Sequence, residues 1–334
     1  MNKDLNVVFL GGSITEGAGA TVYDKSYAAL VSNYLKEHYC NININVNIYN
    51  MGASGTGSDF GLFRLERDVL SKQPDIVFIE FAVNDRIMNS SDVSVYMEGM
   101  IRELLKLKEV PYIILLIAPT MMSDACGDVH KKIAYYYNLP IIDVQDYIWR
   151  EIGKDKLDWR DMAIDTLHPN DLGHRLYGEY IIRKIEEEKL LEKKNYVFKE
   201  KQLTEFQFVD PKIRSYEEAV FYGHWREDNF YLKNRLEVSA ISDSVGDCVE
   251  FVFKGRFIAV TTLLSRDCGI LEIELDGIKG SIDLYMDSDN FFSTAINKAN
   301  LSFEEHRLIL RVSERKNPKS SGNKIVLGGF LVEQ

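Results

Sequence analysis

Cysteine is scarce in this chain, with four residues in 334, at Cys40, Cys126, Cys248 and Cys268. They are too widely spaced for a zinc pattern or a dense disulfide framework. Cys248 and Cys268 could pair across a sheet, and unpaired buried thiols are the expected state. Long apolar runs are missing too. The longest, residues 112–119, is far short of the roughly 20 residues a membrane span needs. Positive charge is outweighed: 40 Lys and Arg against 51 Asp and Glu leave a formal charge of −11. That balance argues against gripping a nucleic-acid backbone. No basic region followed by a long apolar one precedes residue 6, so no secretory signal is read. A cytoplasmic protein is the expectation, or a secreted one if a leader was removed. Neither membrane nor nucleic acid is an expected partner; a homo-oligomer is open but unsupported.

Cofactor signatures are also lacking. Asp128 and His130 are close, but nothing joins them into a metal cluster. No Gly-Lys-Ser or Gly-Lys-Thr occurs, which removes the P-loop. Gly52-Ala53-Ser54-Gly55-Thr56-Gly57 does not fit Gly-x-Gly-x-x-Gly and follows the second strand instead of opening the fold. No cofactor and no metal are expected.

What the chain does have is 46% hydrophobic and 27% charged residues, a globular balance, over a length that points to two domains. Up to about residue 191, apolar strand-like runs alternate with helical periodicity. Residues 6–10, 44–49, 75–81, 112–118 and 140–144 read as strands. Residues 23–39, 92–107, 129–137 and 170–190 read as helices, and another is expected through Phe60, Phe63, Leu65 and Val69. Most strands are continuous apolar runs. The second alternates, as suits a sheet edge with one face partly exposed. The expectation is a parallel sheet covered on both faces, in a three-layer α/β/α domain.

Beyond residue 191 the character changes. A charge-rich stretch, residues 187–194, leads into an extended one and then into short alternating segments. These are residues 235–241, 248–253, 256–264, 269–276, 281–286, 306–312 and 324–332, with turns such as Lys254-Gly255 and Asp276-Gly277. They predict an all-β sandwich. The domains are therefore drawn as 1–192 and 193–334. Tyr222, Trp225, Phe230 and Tyr231 cluster in a polar stretch; such rings can stack on sugars, and packing is the expected use.

Polar clusters follow the strands, at the edge where open α/β sheets bind ligands. Gly11-Gly12-Ser13 follows the first strand, residues 50–57 the second, and Asn84-Asp85 the third. Asp165-Thr166-Leu167-His168-Pro169 precedes the last helix. Taken singly, each has a plain reading: a glycine turn, a turn, a surface or capping histidine. One chemistry uses all four, namely a serine nucleophile, a histidine base, an aspartate orienting it and donors for an oxyanion.

In that order the blocks resemble the SGNH/GDSL hydrolase family over about residues 5–190. The resemblance implies Ser13 as nucleophile and Asp165 and His168 as its partners. It also implies an oxyanion hole from the Ser13 N–H, the Gly52 N–H and the Asn84 amide. Asp85 is expected to hold its loop through backbone hydrogen bonds. His174, inside the last helix, is expected to pack or face water. The chain departs from the family's commonest pattern at Gly12, where Asp is usual, and at Ala82, where Gly is usual. The added methyl at Ala82 would narrow the site and favour a small acyl group; Met121 and Met122 are candidates to line it.

Some two-domain bacterial carbohydrate esterases pair such a domain with a jelly-roll-like sandwich, which the second half loosely resembles. The implied function is a serine esterase acting through a covalent acyl-enzyme on an O-acetylated sugar or oligosaccharide. The alternatives are a general acyl-ester hydrolase or thioesterase, and a non-catalytic glycan-binding protein that keeps the fold.

Overall fold

Valine, isoleucine and phenylalanine crowd the apolar runs of the first half, and five of these become strands: β1 (Leu5–Gly11), β2 (Val46–Gly52), β3 (Ile76–Glu80), β4 (Tyr112–Ile117) and β5 (Ile141–Asp143). In the computed structural model, which describes residues 4–229, 235–236 and 238–333, they form one sheet in the order β2-β1-β3-β4-β5. Every pairing is parallel. The alternating strand β2 is an edge, as its sequence predicts, whereas β3 is buried along its whole length.

Between the strands lie α1 (Ser13–Glu16), α2 (Tyr27–Cys40), α3 (Ser58–Phe63), α4 (Leu65–Asp68), α5 (Ala82–Asp85), α6 (Ser90–Leu105), α7 (Gly127–Tyr137), α8 (Val144–Ile152), α9 (Trp159–Met162) and α10 (Asp171–Glu187). Val7, Phe9, Phe78, Ile114 and Leu116 share a core with α2, α8 and α10. The alternate residues Val8, Leu10, Val77, Ile79 and Leu115 are equally buried, on the side of α3, α6 and α7. Truncating one such residue to alanine typically costs about 2–5 kcal/mol. Helix α2 starts later than its periodicity predicts. Residues 23–25 take a 3₁₀ turn, and the Ser26 hydroxyl then caps the helix by accepting from the Ala29 N–H.

The strand order places the site. The chain leaves β1 toward β2 and returns to the other side of β1 as β3. The crevice above the carboxyl ends of β1 and β3 is thus the switch point of the sheet, where open α/β folds bind ligands. Ser13 leaves β1 there and Asn84 leaves β3.

One compact unit ends at Gln207 and the other begins at Phe208, beyond the change in composition near residue 192. The intervening segment is tied to the first unit. Buried Glu98 accepts hydrogen bonds from the N–H groups of Leu203 and Thr204, at 2.7 Å each, and from the Tyr137 hydroxyl. Arg102 donates to the Lys199 carbonyl at 2.8 Å. A strap held by backbone groups carries no periodic pattern for a sequence to reveal.

The second unit contains β6 (Pro211–Ser215), β7 (Val220–Tyr222), β8 (Arg226–Asp228), β9 (Ser239–Ser242), β10 (Cys248–Gly255), β11 (Phe257–Leu264), β12 (Ile270–Leu275), β13 (Ile278–Asp283), β14 (Phe291–Lys298), β15 (Glu304–Val312) and β16 (Ile325–Glu333). They make two antiparallel sheets, β13-β12-β15-β10-β7 and β14-β11-β16-β9-β8, with β6 also paired to β16. The sheets meet face to face, with Phe251 of β10 stacked on Phe330 of β16 at 3.8 Å. Strand β13 begins three residues before its expected start. Asp276 and Gly277 both have positive φ, 51° and 82°, which makes a two-residue hairpin that pairs Leu275 directly with Ile278. Trp225 packs edge-on to Phe221 at 5.5 Å and Tyr222 is 53% exposed. Phe230 and Tyr231 lie outside the described residues. All four cysteines are free.

Candidate active site

Ser13 is the first residue of α1, and a single residue, Gly12, separates it from the end of β1. The turn needs both glycines. A Cβ on Gly11 would fall 2.1 Å from Thr15 Oγ1, and one on Gly12 would fall 2.1 Å from Asn84 Oδ1. Below the turn, buried Arg64 donates to the carbonyls of Gly11 at 2.9 Å and Met51 at 2.7 Å, joining the ends of β1 and β2. The end of β2 and the loop after it are stitched to α1 as well. Glu16 accepts from the Ser54 N–H at 2.8 Å, and the Asn50 amide donates to the Thr15 carbonyl at 2.7 Å.

Ser13 Oγ lies 2.9 Å from His168 Nε2, and His168 Nδ1 lies 2.7 Å from Asp165 Oδ2. An ionised carboxylate only accepts, so the imidazole proton sits on Nδ1 and Nε2 faces the hydroxyl as an acceptor. The turn itself is built by the same aspartate: Asp165 Oδ1 accepts from the N–H groups of Leu167 and His168, both at 2.7 Å. Burial opposes the Asp165 charge, but the hydrogen bonds from the His168 ring and from these two backbone groups outweigh it and hold the carboxyl below its ordinary value. A short bridge between Ala163 and Pro169 and the Asn170 cap of α10 fix the flanks. The structure thus brings Ser13, Asp165 and His168 into one hydrogen-bonded chain.

His174 is elsewhere. It is fully buried; its Nδ1 accepts from the Tyr27 N–H at 3.2 Å and its Nε2 donates to the Ala18 carbonyl at 3.0 Å. Burial lowers its pKa, which keeps this packing histidine neutral.

The three expected oxyanion donors differ in their surroundings. Among the described residues, neither the Ser13 N–H nor the Asn84 amide has a hydrogen-bond partner. The Gly52 N–H is already engaged: it donates to Asn50 Oδ1 at 2.8 Å. A Cβ on Gly52 would sit 2.2 Å from the Glu16 N, so this glycine serves close packing beneath α1. Three residues on, Gly55 has φ +73° and an N–H with no partner among the described residues. It is one of the donors that the loop leaves open. The Ser-Gly step after a strand, where a turn demands positive φ, is the signal that could have found it.

The Gly12 geometry makes a prediction. A methyl there collides with the Asn84 side chain, so Gly12→Ala displaces an amide poised beside Ser13. Losing one such donor costs about 3 kcal/mol, and kcat is expected to fall about a hundredfold with little change in melting temperature. Steady-state kinetics beside a thermal melt check this; unchanged kcat would mean Asn84 gives way harmlessly.

Met121 and Met122 are 41% and 73% exposed on the loop after β4. The Met121 N–H donates to the Thr166 carbonyl at 2.9 Å, beside the turn that carries His168. No group of three or more His, Cys, Asp or Glu residues among those described is arranged to hold a metal ion. No helix of the described residues is long and apolar enough to cross a membrane.

A serine at the switch point of a parallel sheet, hydrogen-bonded to a histidine that an aspartate holds, belongs with the carboxylic ester hydrolases. The chain is a member of the GDSL-like lipase/acylhydrolase family, whose model matches residues 9–176. It is similar along its whole length to a two-domain esterase active on acetylated mannans, with 25% identity and a TM-score of 0.85, covering 100% of this chain and 92% of that one. A structure of that esterase co-crystallized with mannopentaose matches with 24% identity and the same TM-score of 0.85, covering 99% and 91%. No curated protein sequence matches the chain.

Proposed function

We propose that the protein is a serine esterase that removes acetyl groups from an O-acetylated sugar or oligosaccharide, with Ser13, His168 and Asp165 as its catalytic residues. The observation that carries this reading is the Ser13–His168–Asp165 chain, at 2.9 and 2.7 Å, beside a Ser13 N–H and an Asn84 amide that have no hydrogen-bond partner among the described residues. The activity of the similar two-domain esterase on acetylated mannans supports the substrate class.

His168 Nε2 takes the proton of Ser13 Oγ as the oxygen attacks the ester carbonyl. Asp165 steadies the imidazolium that results. Negative charge moves onto the carbonyl oxygen, toward the N–H groups of Ser13 and Gly55 and the Asn84 amide. His168 then returns the proton to the departing sugar hydroxyl, which leaves an acyl-enzyme on Ser13. Water, deprotonated by the same imidazole, attacks that acyl group; the bond to Ser13 Oγ breaks, His168 returns the proton to that oxygen, and acetate is released. Every proton transfer runs through His168, and no cofactor takes part in these steps.

The test is a p-nitrophenyl ester series from acetyl to octanoyl, followed by acetylated mannan and xylan oligosaccharides, with fluorophosphonate labelling of Ser13 alongside. Labelled Ser13, acetyl-selective turnover and acetate release from an oligosaccharide are expected. Preference for octanoyl would remove the small-acyl assignment, and an unlabelled, inactive protein would remove the esterase itself.

A further inference from the structure

Beneath Asn84 lies a pair that the proposed reaction does not use. Asp85 and His130 are both fully buried, with His130 Nε2 2.8 Å from Asp85 Oδ2. The other carboxylate oxygen, Oδ1, accepts from the Ser58 N–H at 2.8 Å. His130 Nδ1 is buried with no partner among the described residues. A proton there would be stranded, so the imidazole proton sits on Nε2 and is donated to Asp85.

Asp85 therefore joins three elements. It ends α5, immediately after Asn84. It grips the first residue of α3, at the far end of the loop that carries Gly55. It receives its other hydrogen bond from α7. The approach is close: a Cβ on Gly57 would fall 2.7 Å from Asp85 Oδ1. A second tie runs in parallel, from the Cys126 N–H to the Ala82 carbonyl at 2.8 Å. The loops holding two of the open donors, Asn84 and Gly55, thus converge on one carboxylate that α7 holds in place.

We infer that Asp85 and His130 are positioning residues for the oxyanion hole: the buried pair sets the Asn84 amide and the Gly55 loop at the distance the reaction needs. The inference rests on the esterase reading. His130 touches no reacting atom and acts only through Asp85 and the loops it ties. Removing its N–H leaves a buried carboxylate oxygen unpaired at the end of the short helix α5, directly after Asn84.

A double-mutant cycle separates this role from general stability. His130→Leu is measured alone and on Asn84→Ala, with p-nitrophenyl acetate, beside His130→Gln, whose amide can still donate to Asp85. His130→Leu is expected to lower kcat about ten- to a hundredfold, at or below the loss of a donor itself, with KM nearly unchanged. On Asn84→Ala the same change is expected to cost less than about threefold, because the amide it positions is already gone. His130→Gln is expected to recover most of the rate. If the leucine variant does not fold, Asp85→Asn takes its place in the cycle. Equal losses in both backgrounds, or an unchanged kcat, overturn the inference. Wild-type turnover that vanishes in Ser13→Ala upholds the esterase reading whichever way the cycle falls. A wild type without turnover defeats that reading first.

Discussion

Replacing His168 with alanine is expected to abolish ester turnover, whereas replacing His174 leaves an active but less stable enzyme. The two histidines are six positions apart, and the difference lies in their partners. His168 faces Ser13 Oγ at 2.9 Å with its other nitrogen on Asp165. Without it, nothing takes the serine proton, and loss of a triad member costs about 10⁴-fold or more in kcat. His174 spends both nitrogens on backbone groups and stacks on Tyr27, with ring centroids 6.3 Å apart. His174→Ala removes a buried ring and strands the Tyr27 N–H, a change of the kind that costs about 2–4 kcal/mol. The measurement pairs kcat on p-nitrophenyl acetate with a urea melt for each variant. Turnover surviving in His168→Ala and lost in folded His174→Ala would reverse the assignment.

The same contrast explains what could be read from the residues alone. Ser13, Asp165 and His168 announce themselves because their chemistry needs particular side chains at short spacings, and a three-residue turn brings Asp165 onto its own histidine. A backbone donor has no such signature. Gly52 ends β2 and Gly55 follows it three residues later, and what separates them is the Asn50 side chain folding back onto the Gly52 N–H and the positive φ of Gly55, neither of which a glycine in a sequence displays. The fold follows a similar division. Parallel strands buried on both faces are legible as apolar runs, and β2 as an edge. Strand β14 is not, because a register shift opposite β11 and the positive φ of Ile296, 61°, break its alternation. Helix α8 is hidden by its abruptness: it starts directly after β5, with Asp143 as its cap, so its first residue, Val144, falls inside the segment read as a strand. The Asp85–His130 pair spans 45 positions, and no local pattern links them.

The second large effect concerns Glu80, the last residue of β3, which sits under the nucleophile turn and receives the Gly12 N–H on its backbone carbonyl at 3.3 Å. Its side chain is 1% exposed. Burial, reinforced by the Asp85 charge, pushes the carboxyl from 4.5 up to about 8, against weaker pulls from the Thr15 hydroxyl and the Val83 N–H. The folded protein therefore keeps a proton that the unfolded chain gives up near pH 4.5. Between pH 4.5 and 8 the unfolded state binds fewer protons, so this contribution is full below pH 4.5 and is lost as pH rises. The slope is about 1.4 kcal/mol per pH unit, on the order of 5 kcal/mol across the window. Glu80→Gln stays neutral at every pH. It is expected to be slightly less stable than wild type at pH 5, since Glu80 Oε1 and the Tyr177 hydroxyl are both buried without partners among the described residues and an amide must find one there. At pH 9 it is expected to be the more stable protein by several kcal/mol, roughly the linkage loss it avoids. Urea unfolding of both proteins at pH 5, 7 and 9 decides the matter. Crossing curves place the proton on Glu80. Parallel curves would mean that the carboxylate is solvated or paired in the folded state, and that the ground beneath Ser13 carries a charge.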